Sequence, residues 1–328
     1  MGIVRICHSY GRFASVVTAA CFFALAAPVL AVYPEKPITL VVGFPPGGGG
    51  DLYGRTLAHE LSTQIGQPVI VDNKCGAGGS IAADAVAHAK PDGYTLILAQ
   101  SGSMCASPAL RSDLRYKVPG DFVPISLLVE NPFGLMVSSK SKIKTLQEYY
   151  LSAARAGKLT YASTGTGGAS NIVMEMVKQQ AKLDILHVAY KGSGPAVTDL
   201  IGGQVDSFFA PYTPLMGLIA GGKIRLLAVS SSERVPSLPA IPTLKEAGVD
   251  VVMTNWYGLA APAGTPTGVV ETLARHVKAA LMQPSVLRVY QADGSHESAL
   301  SGDAFRDFMA RDIAKYKRAV ETGNLKLE

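Results

Sequence analysis

Cysteine is scarce in this sequence, four in 328 residues, and none is arranged as a CxxC pair. The six histidines are scattered, and no His/Cys run has zinc-ligand spacing, which argues against a structural metal. A clustered basic stripe is also missing: Lys and Arg number 30 against 25 Asp and Glu, so nucleic acid is not an expected partner. Nucleotide motifs fail on spacing. Walker A needs a Lys and a Ser/Thr to close its loop, and the glycines before Asp51 are followed by neither. A GxGxxG starting at Gly47 or Gly48 would need glycine where Leu52 or Tyr53 stands. No G-x-S-x-G elbow occurs, and Ser193 lies in a loop without a neighbouring histidine. His187 reads as a packed or surface histidine and Asp206 as part of a turn. With no nucleophile–base constellation, neither an enzyme nor a cofactor is expected.

The N-terminus sets itself apart. Arg5 and Arg12 give a positive start, and Phe13 to Leu30 is almost free of charge. Val29 and Ala31 supply the small −3/−1 pair of a signal-peptidase site, so residues 1–31 read as a removed signal peptide and the mature chain as exported. A membrane anchor is the competing reading, because the apolar run approaches the ~20 residues of a span. Pro28 and the small-residue exit argue against it. Cys21 follows Thr18-Ala19-Ala20, a poor lipoprotein box. Losing Arg5 and Arg12 lowers the formal charge of +5 by two. No later stretch is long and apolar enough to span a bilayer, and the remaining length suits two domains of roughly 100–200 residues each.

Past the leader, strand and helix signals alternate, which predicts α/β packing around parallel strands. Ile38 to Phe44 is a β-branched run suited to a strand buried on both faces. Asp51 opens a helix with its stripe at Leu57, Leu61 and Ile65, and Gly66 with Pro68 ends it. A strand at Val69–Val71, a helix capped by Ser80 and a strand at Tyr94–Ala99 complete a β-α-β-α-β unit. The alternation restarts with strands at Leu159–Ala162, Ile185–Tyr190, Val205–Phe209 and Ile224–Val229, and with helices from Ser170 and Pro195. Helices at Thr267–Met282, Ser285–Ala292 and Gly302–Thr322 close the chain. Two extended apolar runs, Phe122–Val137 and Thr254–Pro262, bracket the second block. The layout predicts two α/β lobes joined by two extended crossover strands: lobe I from 32–130 plus 256–328, and lobe II from 131–255.

The sharpest local feature is Gly43-Phe44-Pro45-Pro46-Gly47-Gly48-Gly49-Gly50-Asp51, set between a strand and a helix. Glycines admit close backbone approach, and a helix start offers unpaired N–H groups with partial positive charge, so a carboxylate can bind there without a cationic side chain. The alternative is a plain tight turn with Asp51 as N-cap. A similar construction recurs at Ser163-Thr164-Gly165-Thr166-Gly167-Gly168-Ala169-Ser170, and a third at Tyr190-Lys191-Gly192-Ser193-Gly194-Pro195, with Pro195 suited to the first helical position. Two such turns in two lobes would make a clamp around a crevice beyond strand C-termini. Cys75 and Cys105 follow the second and third strands. With the first strand between them these lie ~10 Å apart, twice the inter-strand spacing. A disulfide there, favoured over two separate thiols, would add roughly 3–4 kcal/mol.

Together with Pro34-Glu35-Lys36-Pro37, Asp72-Asn73-Lys74, Pro91-Asp92-Gly93-Tyr94, Gly202-Gly203-Gln204-Val205-Asp206 and Ala261-Pro262-Ala263-Gly264-Thr265-Pro266, these loops give a sequence that resembles the substrate-binding proteins of tripartite tricarboxylate transporters, the Bug family. The resemblance implies a periplasmic type II binding-protein fold with the ligand between the lobes. It also implies a small carboxylate held by backbone groups of two loops, Phe44 to Asp51 and Ser163 to Ser170. The expected contacts are Phe44, Pro45, Gly48, Gly49, Gly50, Asp51, Ser101, Ser163, Thr164, Gly165, Thr166, Gly167, Ser170 and Ala210. The implied partner is a two-subunit membrane permease; a sensor kinase is the alternative, and a periplasmic enzyme on the same fold a remoter one. The receptor is expected to act as a monomer. Gly50, Asn171, Cys75 and Ala210 stand where the family commonly has Thr, His, Pro and Asp. The missing acid at 210 points to an anionic or apolar ligand end in place of an amino group.

Overall fold

A computed structural model describes residues 33–154, 159–291, 295–298 and 300–323. The expected signal peptide, 1–31, lies outside the described residues. Among those described, no helix is long and apolar enough to cross a membrane.

Strand β1 (Ile38–Val42) lies between β2 (Val69–Asn73) and β3 (Thr95–Gln100), parallel to both, with Leu40 opposite Val71 and Leu96. Ile38, Leu40 and Val42 on one face are fully buried and Val41 on the other is 1% exposed, as a strand covered on both faces requires. Helix α1 (Gly49–Ile65) follows β1, and Gly66 stops it in the left-handed conformation at φ 73°. Helix α2 (Ser80–Ala87) follows β2. Its N-cap is Gly79, so Ser80 is its first residue and not the cap. After β3 the chain winds into a π-helical turn (Gly102–Ala106) and a short α3 (Ser107–Leu110).

Strand β4 (Phe122–Ser138) serves two sheets. Its first part, Phe122 to Pro132, pairs antiparallel with β9 (Thr254–Pro262), which also pairs with β3. Its second part, Phe133 to Ser138, pairs antiparallel with β7 (Ser207–Pro211) and β8 (Ile224–Val229). Beyond β7 lie β5 (Thr160–Ser163) and β6 (Leu186–Ala189), all three parallel. Pro132 stands at the changeover, where a missing N–H is tolerated because the ladder changes partner there. Fully buried Ser230 pins this junction: its N–H donates to the Phe133 carbonyl, its Oγ accepts the Phe133 N–H and donates to the Met253 carbonyl at 2.6 Å. The return crossing is therefore shorter than the sequence predicts, since β9 belongs wholly to the first sheet.

Helix α4 (Leu146–Ala153) follows β4, capped by Thr145, whose Oγ1 accepts the Glu148 N–H. Helices α5 (Ala169–Ala181) and α6 (Ser193–Gly202) flank the second sheet. Pro195 is the third residue of α6, not the first. A short α7 (Met216–Ala220) follows β7. The last helices, α8 (Thr267–Leu281), α9 (Pro284–Tyr290) and α10 (Gly302–Gly323), return to the first sheet, and the short β10 (His296–Glu297) pairs with β4. Phe305 of α10 lies edge-on to Trp256 at 5.6 Å, and the Trp256 indole N–H donates to Asp312.

Cys75 and Cys105 are free thiols, which corrects the expected disulfide. The strand order β2-β1-β3 is as predicted. The residues from Gly102 to Ala106 coil instead of extending along the strand ends, and this carries Cys105 into the core with its Sγ 3.7 Å from the Met309 carbonyl. Cys75 stays on the half-exposed turn after β2.

Candidate ligand cleft

Three α-helices and the π turn begin around one chamber of about 30 Å³. Its walls include Gly48, Gly49 and Gly50 of α1, Gly168, Ala169 and Ser170 of α5, Ser193 of α6 and Gly102 of the π turn. The N-caps of the three α-helices are glycines, Gly48, Gly168 and Gly192, and no side chain caps any of the four starts. Their orphan N–H groups and dipole ends thus remain available to a guest. Gln100, Phe133, Asn255 and Tyr257 form further wall, and among the described residues no Lys, Arg, Asp or Glu lines the chamber. Burial raises the Tyr257 hydroxyl above its ordinary pKa, so it stays protonated.

Asp51 supports the first loop without facing the chamber. It is the third residue of α1, not its N-cap, and its Oδ2 accepts the Gly47 N–H at 3.0 Å. Arg55 Nε lies 2.9 Å from both carboxylate oxygens, and Asn73 Nδ2 donates to Oδ1 and to the Phe44 carbonyl. Burial pushes the Asp51 carboxyl up, but the bonds from Arg55, Gly47 and Asn73 outweigh it and hold the pKa below its ordinary value. Arg55 also offsets the negative charge that Asp51 would otherwise present beside an anion.

The second loop repeats this design. Gly167 donates its N–H to Asn171 Oδ1, Thr164 N–H donates to Ser170 Oγ, and the Thr164 and Ser170 hydroxyls are 2.9 Å apart. Ser163 Oγ lies 2.7 Å from His187 Nε2. That hydroxyl is fully buried, accepts the Gly165 N–H and donates toward the Gly165 carbonyl, so the pair braces a turn. Sequence reading left His187 without this partner because β5 and β6 had first to be paired, Tyr161 opposite His187.

The rims touch. A Cβ on Gly49 would lie 2.8 Å from Pro214, one on Gly78 3.1 Å from the Gly168 Cα, and one on Gly192 2.7 Å from Pro45. Ser107 Oγ donates to the Gly167 carbonyl across the same seam at 3.3 Å. A wider cavity of about 630 Å³ adjoins the chamber, walled by Gly76 to Gly79, Arg111, Asp113, Thr164 to Thr166 and Ala189 to Lys191.

Of the expected contacts, Phe44, Gly48, Gly49, Gly50, Thr164 and Ser170 line the chamber, and Gly165 and Thr166 line the wider cavity. Pro45 meets Gly192 across the seam, and Asp51, Ser163 and Gly167 brace the loops through hydrogen bonds. Ser101 is buried and donates to Asn255 Oδ1. Ala210 is fully buried in the apolar cluster around β7, and its neighbour Pro211 reaches the chamber instead. Sequence reasoning missed Gly78, Gln100, Gly102, Phe133, Pro214, Asn255 and Tyr257. Only Gly78, in a glycine-rich turn, carried a local signal.

Comparison with known proteins follows the same lines. The family model for the tripartite tricarboxylate transporter family receptor matches residues 53–325. Protein BugT of Bordetella pertussis is 36% identical over 308 residues, which cover 93% of this chain and 94% of BugT. The solved periplasmic binding protein BugD shares 31% identity at a TM-score of 0.86, covering 90% of this chain and 100% of its own. MatC from Rhodopseudomonas palustris, solved with bound malate, shares 32% identity at a TM-score of 0.83, covering 88% of this chain and 100% of MatC.

Proposed function

The chain belongs to the tripartite tricarboxylate transporter family of receptors, and on that footing we propose that it is a periplasmic solute-binding protein that closes on a small carboxylate and passes it to a two-subunit membrane permease. One observation carries this: uncapped helix starts from both sheets converge on a chamber free of charged side chains. Such a site favours an anion through backbone N–H groups and helix dipoles, and a carboxylate inside it exchanges water for preorganised donors. The chamber has room for a water or two, or for one carboxylate head, given roughly 10–15 Å³ per water.

In this reading the first sheet with the last helices forms lobe I (32–130 and 256–328), and the second sheet forms lobe II (131–255). The changeover on β4 and the Ser230–Met253 contact are the hinge, and the touching rims are the closed state that a ligand selects. The malate held by MatC supports a carboxylate as the guest. BugD, described as periplasmic, supports the compartment, as does the predicted signal peptide.

Thermal shift tests the proposal. Di- and tricarboxylates and aromatic acids are compared with neutral amides of the same skeleton, malate against malamide among them. A binder at 100 times its dissociation constant adds about 2.7 kcal/mol of stability, a clear rise in melting temperature. If no acid stabilises the protein, or the amides do so equally, the reading fails.

A further inference from the structure

The two loops are braced from the same places by different chemistry. In the first, the third residue of α1, Asp51, is held by Asn73 from the neighbouring strand β2 and by Arg55 one turn along the helix. In the second, the third residue of α5, Asn171, faces His187 from the neighbouring strand β6 at 3.5 Å, and Glu175 stands one turn along. Neither Arg55 nor Asn73 changes protonation near neutral pH. An imidazole does, because its ordinary titration falls between about pH 5 and 8.

One tautomer of His187 satisfies every hydrogen bond around it. The Ser163 hydroxyl has a single proton, donated toward the Gly165 carbonyl at 3.3 Å, and it accepts the Gly165 N–H at 3.2 Å. His187 Nε2, 2.7 Å from the same oxygen, is therefore the donor. That leaves a lone pair on Nδ1, facing the Asn171 amide nitrogen, whose other proton goes to the Tyr161 hydroxyl at 2.8 Å. Asn171 Oδ1 is thereby turned to the Gly167 N–H. A second ring proton sets N–H against N–H. Rotating the Asn171 amide relieves that clash only by turning its NH2 group onto the Gly167 N–H, which loses the bond that holds the loop.

Water can deliver that proton, since β6 is the edge strand of its sheet and the ring is half-buried. β6 holds no other titratable side chain. Tyr161 of β5 stacks on the ring at 4.9 Å, and α5 contributes Glu175 and Lys178, which pair at 2.8 Å. Burial, with Glu175 beside it, raises the Tyr161 hydroxyl, which donates to Glu175 and stays protonated. His187 lines neither the chamber nor the wider cavity, so it reaches a guest only through the loop.

We propose that His187 is a positioning residue that makes solute binding pH-dependent. Its neutral Nε2–H form holds Ser163 and Asn171 where the loop presents Gly168, Ala169 and Ser170 to the chamber, and its protonation frees Gly167 and weakens binding. The link to binding rests on the receptor reading above; the link between His187 and the loop does not.

NMR of the imidazole nitrogens in the ligand-free protein tests the loop, the His187 signals being those absent from His187→Gln. At about pH 7.5 the ring is the Nε2–H tautomer, and the Gly167 amide signal follows the ring's titration in the native protein but not in His187→Gln. An Nδ1–H tautomer, or a Gly167 amide indifferent to that titration, overturns the proposal whatever the protein binds. Calorimetric titration with malate and with adipate at about pH 7.5 and 5.5 tests the link to binding. Protonation of the acids acts equally on every variant. Native affinity falls toward acid by roughly tenfold more than that of His187→Gln, the scale of one hydrogen bond. Asn171→Asp, which offers one oxygen to Gly167 and one to the ring proton, removes the extra fall. A merely structural histidine lowers the melting temperature of His187→Gln and leaves the two pH profiles parallel. Parallel profiles, or native affinity that rises toward acid relative to His187→Gln, overturn the proposal and leave the receptor standing. Failure of both acids at both pH values counts against the receptor reading, and the spectra alone then decide the role of His187.

Discussion

Asp51 and Asn171 occupy the same position in two helices and make the same bond. Each is the third residue of its helix, and each side-chain oxygen accepts, at 3.0 Å, the N–H of the glycine that precedes the N-cap. Those glycines, Gly47 and Gly167, both hold positive φ, 82° and 70°. The two sheets thus present one loop design in duplicate to a shared chamber. Replacing either residue by Ala costs about 0.5–2 kcal/mol, the range of a lost helix-start bond, and weakens carboxylate binding several-fold. The two losses add in the double variant if the loops act independently. Calorimetry on the single and double variants checks this.

Asp51 differs from Asn171 in carrying charge, and pH separates them. Its folded pKa lies below the ordinary 3.8. A depressed carboxyl contributes stability that is present above the unfolded value and lost as pH falls through the folded one. The native protein therefore loses this contribution below pH 3.8. Asp51→Asn flattens that part of the curve, whereas Asn171→Ala leaves its shape intact. Urea unfolding at stepped pH measures both.

Gly49→Ala separates closure from folding. The position is helical, where Ala is the better former by about 0.8–1.0 kcal/mol, yet the added Cβ meets Pro214 at 2.8 Å and the Tyr257 hydroxyl at 3.2 Å. The free protein keeps its melting temperature while affinity for its acid falls about tenfold or more, because the closed form is penalised. Small-angle scattering with ligand shows a more open particle. Unchanged affinity would mean that the seam at Pro214 plays no part in binding.

Asn131 and Asn255 face each other across β4 and β9, and Asn255 Nδ2 donates to Asn131 Oδ1 at 2.9 Å. The chain continues from Ser101 Oγ to Asn255 Oδ1 and from Asn131 Nδ2 to the Tyr53 hydroxyl, all buried. Asn131→Leu or Asn255→Leu strands a buried partner and costs about 1–3 kcal/mol. The double variant costs less than the sum. A denaturation-based double-mutant cycle reads the coupling, and strict additivity would refute the network.

Both thiols remain reducible-agent-insensitive in their effect on stability. Dithiothreitol leaves the melting temperature unchanged, and a thiol reagent labels Cys75 in the native protein but Cys105 only after unfolding. Burial raises both thiols, and that of Cys105 strongly, so neither is an activated thiolate. A melting temperature that falls on reduction would restore the bridge.

The sequence by itself determined the strands whose partners matter least to their form. β8 and β9 have the predicted limits, Ile224–Val229 and Thr254–Pro262, and the glycine loops fall between strand and helix as read. Local chemistry suffices there: β-branched runs extend, and glycine and proline end them. The Thr145-x-x-Glu148 spacing is likewise a local capping signal for α4. Tertiary structure alone decided the rest. The wall residues Gln100, Phe133, Asn255 and Tyr257 are far apart in sequence and meet only because β4 joins two sheets and β9 inserts between β3 and β4. The coil at Gly102–Ala106 turned Cys105 inward, and strand pairing placed His187 on Ser163 and left Ala210 in the core. Each of these depends on which segment packs against which, and no local propensity encodes that choice.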